Sequence, residues 1–211
     1  FSYRERIQVN ESYISREDLI RLTEKVKAAG DQLLAEGRQH PTMFEMETAI
    51  AFLYFAEQNC DLVVLEVGMG GRLDATNVIR NTKVAVLASI SMDHMGFLGN
   101  TLGEIAEHKA GIIKPGCTVV SASQQPEAAV SVRKKAEQEG CELICVEPEK
   151  IKIEKRGLEG QTFSYKEHAQ VEIALAGEYQ FLNGALALEV LDELKRKGYE
   201  ISEEALKAGM K

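Results

Sequence analysis

The strongest constraint on this chain is a repeated local pattern: short apolar runs of β-formers, ended by turns and separated by helix-like stretches. Residues 61–67, 84–91, 118–120 and 142–146 are such runs, with stretches of helical periodicity such as 126–139 between them. The runs are nearly continuous in apolar character rather than alternating, as in strands buried on both faces. Strand–helix alternation of this kind predicts a parallel sheet with helices on both faces, an α/β fold.

Helix starts support that reading. Ser15 with Asp18 forms a start box ahead of Leu19, Ile20 and Leu22, and Thr101 with Glu104 forms a second, opening a helix that carries Lys109. Pro41 is placed in the tolerant first turn of a helix bearing Met43, Phe44, Met46, Ile50, Phe52, Leu53 and Phe55. Those residues nearly encircle it, so the helix is expected to be buried. Residues 4–9 read as a strand. After Pro148 the texture changes: residues 151–156 and 162–165 flank a Gly157–Gly160 turn, and 171–175 continue a small antiparallel ribbon. Residues 180–197 carry a clear apolar stripe, and Ser202 caps a last helix. The organisation read from this is a parallel α/β core over 1–147, a small β ribbon over 148–176 and closing helices over 177–211. A start at Phe1, without Met and directly inside a strand-like stretch, reads as the interior of a longer chain.

The 211 residues carry a net charge of -8, which argues against a general nucleic-acid surface resting on Lys and Arg. The longest apolar runs are strand-sized, so neither a membrane span nor a signal peptide is read. The four cysteines do not read as a disulfide framework. Cys141 and Cys145 lack CxxC spacing and no His pair completes a zinc site, so reduced thiols in a cytoplasm are expected.

In open α/β sheets ligands bind beyond the carboxyl ends of the strands. Glu66 ends one run, His94 follows another, and Lys109 lies one loop later. A carboxylate inside an apolar strand is costly unless paired or metal-bound; the plainer reading is a glutamate that has reached solvent. His94 alone reads as a satisfied structural residue, and Lys109 alone as an exposed helical lysine. Gly68, Gly70 and Gly71 lack the GxGxxG register, and no Gly-Lys pair occurs, so neither a dinucleotide loop nor a Walker loop is present. The glycines are expected to let a substrate approach the backbone closely, a plain tight turn being the alternative.

Taken together, Phe1 to Asn10, Pro41 to Glu45, Leu65-Glu66-Val67-Gly68-Met69-Gly70-Gly71-Arg72-Leu73-Asp74-Ala75-Thr76-Asn77, Ser91 to His94 and Lys109 to Pro115 resemble, in that order, the folylpolyglutamate synthase/dihydrofolate synthase family of the Mur ligase superfamily. The resemblance spans essentially the whole chain. It implies an incomplete central ATP-binding domain of P-loop NTPase type, with the P-loop unit and the C-terminal ligase domain lying outside the 211 residues. Glu66 would bind the magnesium that accompanies ATP, His94 a second magnesium, and Lys109, carbamylated, would act as a carboxylate at the same centre. Thr42, Met43, Phe44, Glu45, Leu73, Asp74 and Ala75 would contact the pterin-bearing substrate. Asn183 and Gln180 would contact ATP. The implied activity is ATP-dependent ligation of L-glutamate to dihydropteroate or reduced folates through an acyl phosphate, by a cytoplasmic monomer with small-molecule partners and neither nucleic acid nor membrane; the isolated chain is expected to be inactive.

The last motif departs from the family's Gly-x-His-Gln-x-x-Asn-Ala: Tyr179 stands in the His position and Gly184 in the Ala position. Two alternatives remain, another Mur-type amino-acid ligase and a non-catalytic binding module derived from one.

Overall fold

The computed structural model describes residues 2–92 and 96–211. It divides into two compact units: Phe1–Met69 with Asp74–Val78, and Gly70–Leu73 with Ile79–Lys211.

The first unit is a hairpin and two helices. Residues 4–9 are not one strand. Tyr3–Arg6 form a 3-10 turn, and only Gln8–Val9 (β1) pairs, antiparallel to Ser12–Tyr13 (β2). Asn10 and Glu11 both have positive φ, 49° and 66°, which matches the tight primed turn that joins twisted strands. Arg4 Nη1 donates to the Ile14 carbonyl at 3.0 Å and holds the hairpin against the turn. Helix α1 (Arg16–Ala35) starts where the sequence placed it, the Ser15 hydroxyl accepting from the Asp18 amide. Helix α2 (Met43–Glu57) starts two residues later than expected: Thr42 is the N-cap and Pro41 precedes it. Ile7, Ile14, Leu22, Val26, Ile50 and Tyr54 form the core of this unit. Helix α2 is not buried all round. Only Thr48, Ile50 and Tyr54 are fully buried, and Met43 is 70% exposed. An all-round apolar helix needs neighbours on every side, and within this unit its core partners come from α1 and the hairpin.

Residues 61–67 differ most from expectation. The backbone there joins no strand ladder, and Leu62, Val63 and Val64 are exposed, Val64 to 91%. An apolar run becomes a strand only when a neighbour takes its N–H and C=O groups, and no described strand does so.

The second unit holds the parallel sheet. Val84–Leu87 (β3), Thr118–Ser121 (β4) and Glu142–Cys145 (β5) pair in the order β3-β4-β5, all parallel. The strand expected to run to residue 91 ends at Leu87. Alternate residues divide the faces. Ala85, Leu87 and Val119 pack against α3 (Leu102–Ala110) and α4 (Pro126–Gln138). Val84, Val120 and Ile144 pack with α5 (Tyr179–Arg196), so helices cover both faces as expected. The ribbon is Ile151–Lys155 (β6), Gln161–Tyr165 (β7) and His168–Ile173 (β8), antiparallel throughout. Phe163 and Phe181 meet edge-to-face, with centroids 5.9 Å apart, and join ribbon to helix. Helix α6 (Glu203–Met210) is capped by Ser202 and buries Leu206.

A buried acid ties α5 to the sheet. Glu193 is 2% exposed and accepts from Thr118 Oγ1 at 2.5 Å and from Arg196 Nε at 2.5 Å, with Lys197 Nζ at 3.1 Å. Burial by itself would raise its pKa; the Arg196, Thr118 and Lys197 hydrogen bonds outweigh that and hold it at about 2. Glu189, also buried, accepts from Tyr165 Oη at 2.6 Å and pairs with Lys166.

Candidate functional site

In the first unit the site residues gather around Gly68. The Asp74 carboxylate closes the loop: Oδ2 accepts from the Met69 amide at 2.8 Å, and Oδ1 accepts from the Thr76 amide at 2.9 Å and the Thr76 hydroxyl at 2.6 Å. Both oxygens are thus engaged in shaping the backbone. Phe44 covers the same turn. A Cβ on Gly68 would lie 2.6 Å from the Phe44 ring and 3.1 Å from Asp74 Oδ2. Phe44 and Asp74, 30 residues apart in the chain, therefore meet over one glycine. Ala75 begins the 3-10 turn Ala75–Val78 that follows.

Thr42 and Glu45 are a capping box. The Thr42 hydroxyl accepts from the Glu45 amide at 3.3 Å, and Glu45 Oε2 accepts from the Thr42 amide at 2.7 Å. The backbone and side-chain hydrogen bonds from Thr42 hold the Glu45 carboxyl below its usual range. Thr-x-x-Glu at 42–45 is a capping signature that local sequence could have revealed. Met43 and Phe44 are the exposed apolar members of this helix start.

Glu66 is exposed and outside any strand, so it bears no burial cost of the kind expected from its setting. Its carboxylate has no hydrogen bond or ion pair among the described residues.

In the second unit the glycine loop locks onto the end of α3. Gly71, at φ +140°, lies so close to this helix end that a Cβ would sit 2.9 Å from the His108 carbonyl oxygen and 3.0 Å from that of Lys109. The Arg72 amide donates to the His108 carbonyl at 2.9 Å. From the other side, a Cβ on Gly111 would lie 2.4 Å from Arg72 Cβ. Gly70, at φ +74°, admits Leu98 in the same manner. The atoms that these glycines admit at their Cβ positions belong to the protein itself, as a plain tight turn requires, and the interlock fixes the turn that carries Lys109. No local signal marks Gly111, whose helical φ of -60° gives no hint that a side chain is forbidden there.

Lys109 occupies the last turn of α3 and is half-buried rather than fully exposed, with no side-chain hydrogen bond or ion pair among the described residues. Leu73 is 85% exposed. His94 lies outside the described residues. Among the described residues no group of three His, Cys, Asp or Glu gathers to hold a metal.

Gln180 and Asn183 meet one turn into α5, the Asn183 amide donating to Gln180 Oε1 at 3.1 Å. Buried Gln161 donates to the Leu175 and Gly177 carbonyls at 2.8 and 3.0 Å and positions the start of that helix. The departure at 184 has a steric reason: a Cβ there would lie 2.7 Å from Phe163 Cζ.

Among the described residues no helix is long and apolar enough to cross a membrane. The family model described as Mur ligase middle domain matches residues 13–191. A Bacillus subtilis protein named dihydrofolate synthase/folylpolyglutamate synthase is 38% identical over 99% of this chain and 50% of its own length. A solved FPGS–AMPPCP–folate complex superposes with TM-score 0.88 at 32% identity, over 99% of this chain and 52% of that one. Folylpolyglutamate synthase from Thermotoga maritima gives TM-score 0.87 at 33% identity, over 99% and 48%. The chain thus spans about half the length of the relatives it matches. The parallel sheet covered on both faces, the antiparallel ribbon and this match along nearly every residue together make the chain a member of the Mur ligase family, corresponding to its middle domain.

Proposed function

We propose that this chain is the metal- and nucleotide-handling part of an ATP-dependent ligase that adds L-glutamate to dihydropteroate or a reduced folate. The observation that carries the reading is the interlock of Gly71 and Gly111, which fixes the turn bearing Lys109 next to the most recognisable motif of the chain. The names of its relatives, with a folate and an ATP analogue in one solved complex, support the substrate class.

The donor chemistry fits magnesium at one described position. Glu66 offers an exposed carboxylate with no partner among the described residues, the hard oxygen ligand that magnesium prefers. Lys109 fits a magnesium site only as a carbamate, because an ammonium repels a cation; among the described residues its amine has no carboxylate partner. His94 is assigned to a second magnesium on the sequence resemblance alone. When bound, magnesium neutralises charge on the phosphoryl oxygens. The protein's share is positioning: Phe44 and Asp74 shape the acceptor side around Gly68, and Gln180 with Asn183 presents an amide pair to the nucleotide. The substrate carboxylate would attack the γ-phosphate to give an acyl phosphate, and the glutamate amine would then displace phosphate from its carbonyl.

With no Gly-Lys pair in the sequence, the isolated chain has no Walker cradle for a triphosphate and is expected to lack ligase activity. The complete protein is proposed to be a cytoplasmic monomer. In that protein Glu66→Ala should remove most glutamate-dependent phosphate release from ATP. Near-normal turnover in the variant would overturn the metal assignment.

A further inference from the structure

The second unit brings together two thiols that the proposed function does not use. Cys117 and Cys141 sit one residue ahead of Thr118 and Glu142, which are paired partners in β4 and β5. Parallel pairing therefore sets the two cysteines side by side at the amino ends of adjacent strands, although 24 residues separate them. Their sulfurs are 3.7 Å apart. Neighbouring strands lie about 4.7–4.9 Å apart, inside the roughly 4.4–6.8 Å Cα window that a disulfide accepts. Closing the sulfurs to bonding distance, about 2.05 Å, needs less than 2 Å of travel, within reach of side-chain rotation. Both cysteines directly follow turns rather than lying mid-strand: the Cys117 amide bonds the Lys114 carbonyl at 3.2 Å, and the Cys141 amide bonds that of Ala136 at 2.8 Å.

We propose that Cys117 and Cys141 are a modification site, oxidised by a peroxide to a reversible disulfide that fastens β4 to β5. The two thiols have different roles. Cys117 is 4% exposed, and burial raises its thiol to about 11, so it is slow to react with oxidant by itself. Cys141 is half-buried, with its thiol donating to the Lys114 carbonyl at 3.2 Å, and is the one a peroxide reaches. Its thiolate attacks one peroxide oxygen, the O–O bond breaks, and a sulfenic acid and water result. The Cys117 sulfur then attacks the sulfenic sulfur, forming the S–S bond and releasing a second water. Two thiols lose two electrons and two protons; the peroxide gains both. Among the described residues the sulfur contact joins Cys117 to Cys141, and Cys60 and Cys145 remain free thiols outside it.

The test is peroxide treatment of the reduced 211-residue chain, followed by thiol titration under denaturant and a non-reducing peptide map. Titratable thiols should fall from four to two, the mass should drop by about 2 Da, and one peptide pair should join Cys117 to Cys141. Dithiothreitol should restore all four. A Cys60→Ser/Cys145→Ser double variant should still lose both remaining thiols. Cys117→Ser should stop at a Cys141 sulfenic acid that dimedone traps, and Cys141→Ser should keep its three thiols. Linkage through Cys60 or Cys145, a covalent dimer, Cys141 sulfinic acid with Cys117 still free, or no loss of thiols would each overturn the proposal.

Discussion

Gly111 gives the sharpest test of the loop–helix interlock. Its backbone is right-handed helical, at φ -60° and ψ -12°, a conformation in which alanine is ordinarily better than glycine by about 0.5–1 kcal/mol. Here a Cβ would lie 2.4 Å from Arg72 Cβ, 2.6 Å from its Cα and 2.9 Å from its amide nitrogen. Carbon contacts settle near 3.5–4.0 Å, so the Gly70–Leu73 loop would have to retreat by roughly 1 Å. Overpacking of this kind costs about 1–3 kcal/mol, which exceeds the propensity gain. Gly111→Ala should therefore lower the melting temperature by roughly 2–8 °C for a chain of this size. It should also speed amide exchange at Arg72, whose N–H is bonded to the His108 carbonyl. Gly209→Ala is the control: in α6 nothing lies within 4 Å of its Cβ position, and the same substitution should raise stability by about 0.5–1 kcal/mol. Equal stabilisation by both variants in thermal and urea denaturation would refute the interlock.

Three further outcomes follow from the packing. Gly184→Ala should destabilise the chain by about 1–3 kcal/mol through its clash with Phe163, and Phe163→Leu in the same chain should recover part of that loss in a double-mutant cycle. Glu193, held at about 2 against an ordinary value of 4.5, is a depressed acid; its contribution is present above pH 4.5 and fades as pH falls from there towards 2. Glu193→Gln should cost on the order of 2 kcal/mol at pH 7, discounted because Arg196 is half exposed, and should flatten the acid limb of stability measured by denaturation. Val64→Lys, at a position 91% exposed, should change stability by no more than about 0.5 kcal/mol, and amides 62–65 should exchange freely in hydrogen–deuterium measurements.

Local chemistry was legible in the letters. The Ser15 and Thr101 caps, Pro126 at a helix start and the first two ribbon strands sit where side-chain preference and period place them, while the third ribbon strand runs over His168–Ile173 rather than 171–175. So did the covering of the sheet on both faces, because apolar runs at β3 and β4 carry that information residue by residue. What failed was non-local. Residues 61–67 have a strand's composition, but pairing depends on a neighbour the run itself does not specify. The meeting of Phe44 with Asp74 over Gly68, the grip of Gly111 on Arg72 and the contact of Cys117 with Cys141 all join residues at least 24 apart and leave no periodic trace. Gln180 and Asn183 were named from a motif, and their pairing follows from three-residue helical spacing; why Gly184 replaces alanine became clear only with Phe163 beside it.

The most direct measurement is glutamate-dependent phosphate release from ATP by the complete protein, offered dihydropteroate and a reduced folate in separate reactions. Release with at least one acceptor, abolished when glutamate is withheld, is the predicted result. Silence with both, from a folded protein that still binds ATP, would contradict glutamate ligation and point to a different Mur-type acceptor or to a binding module without catalysis.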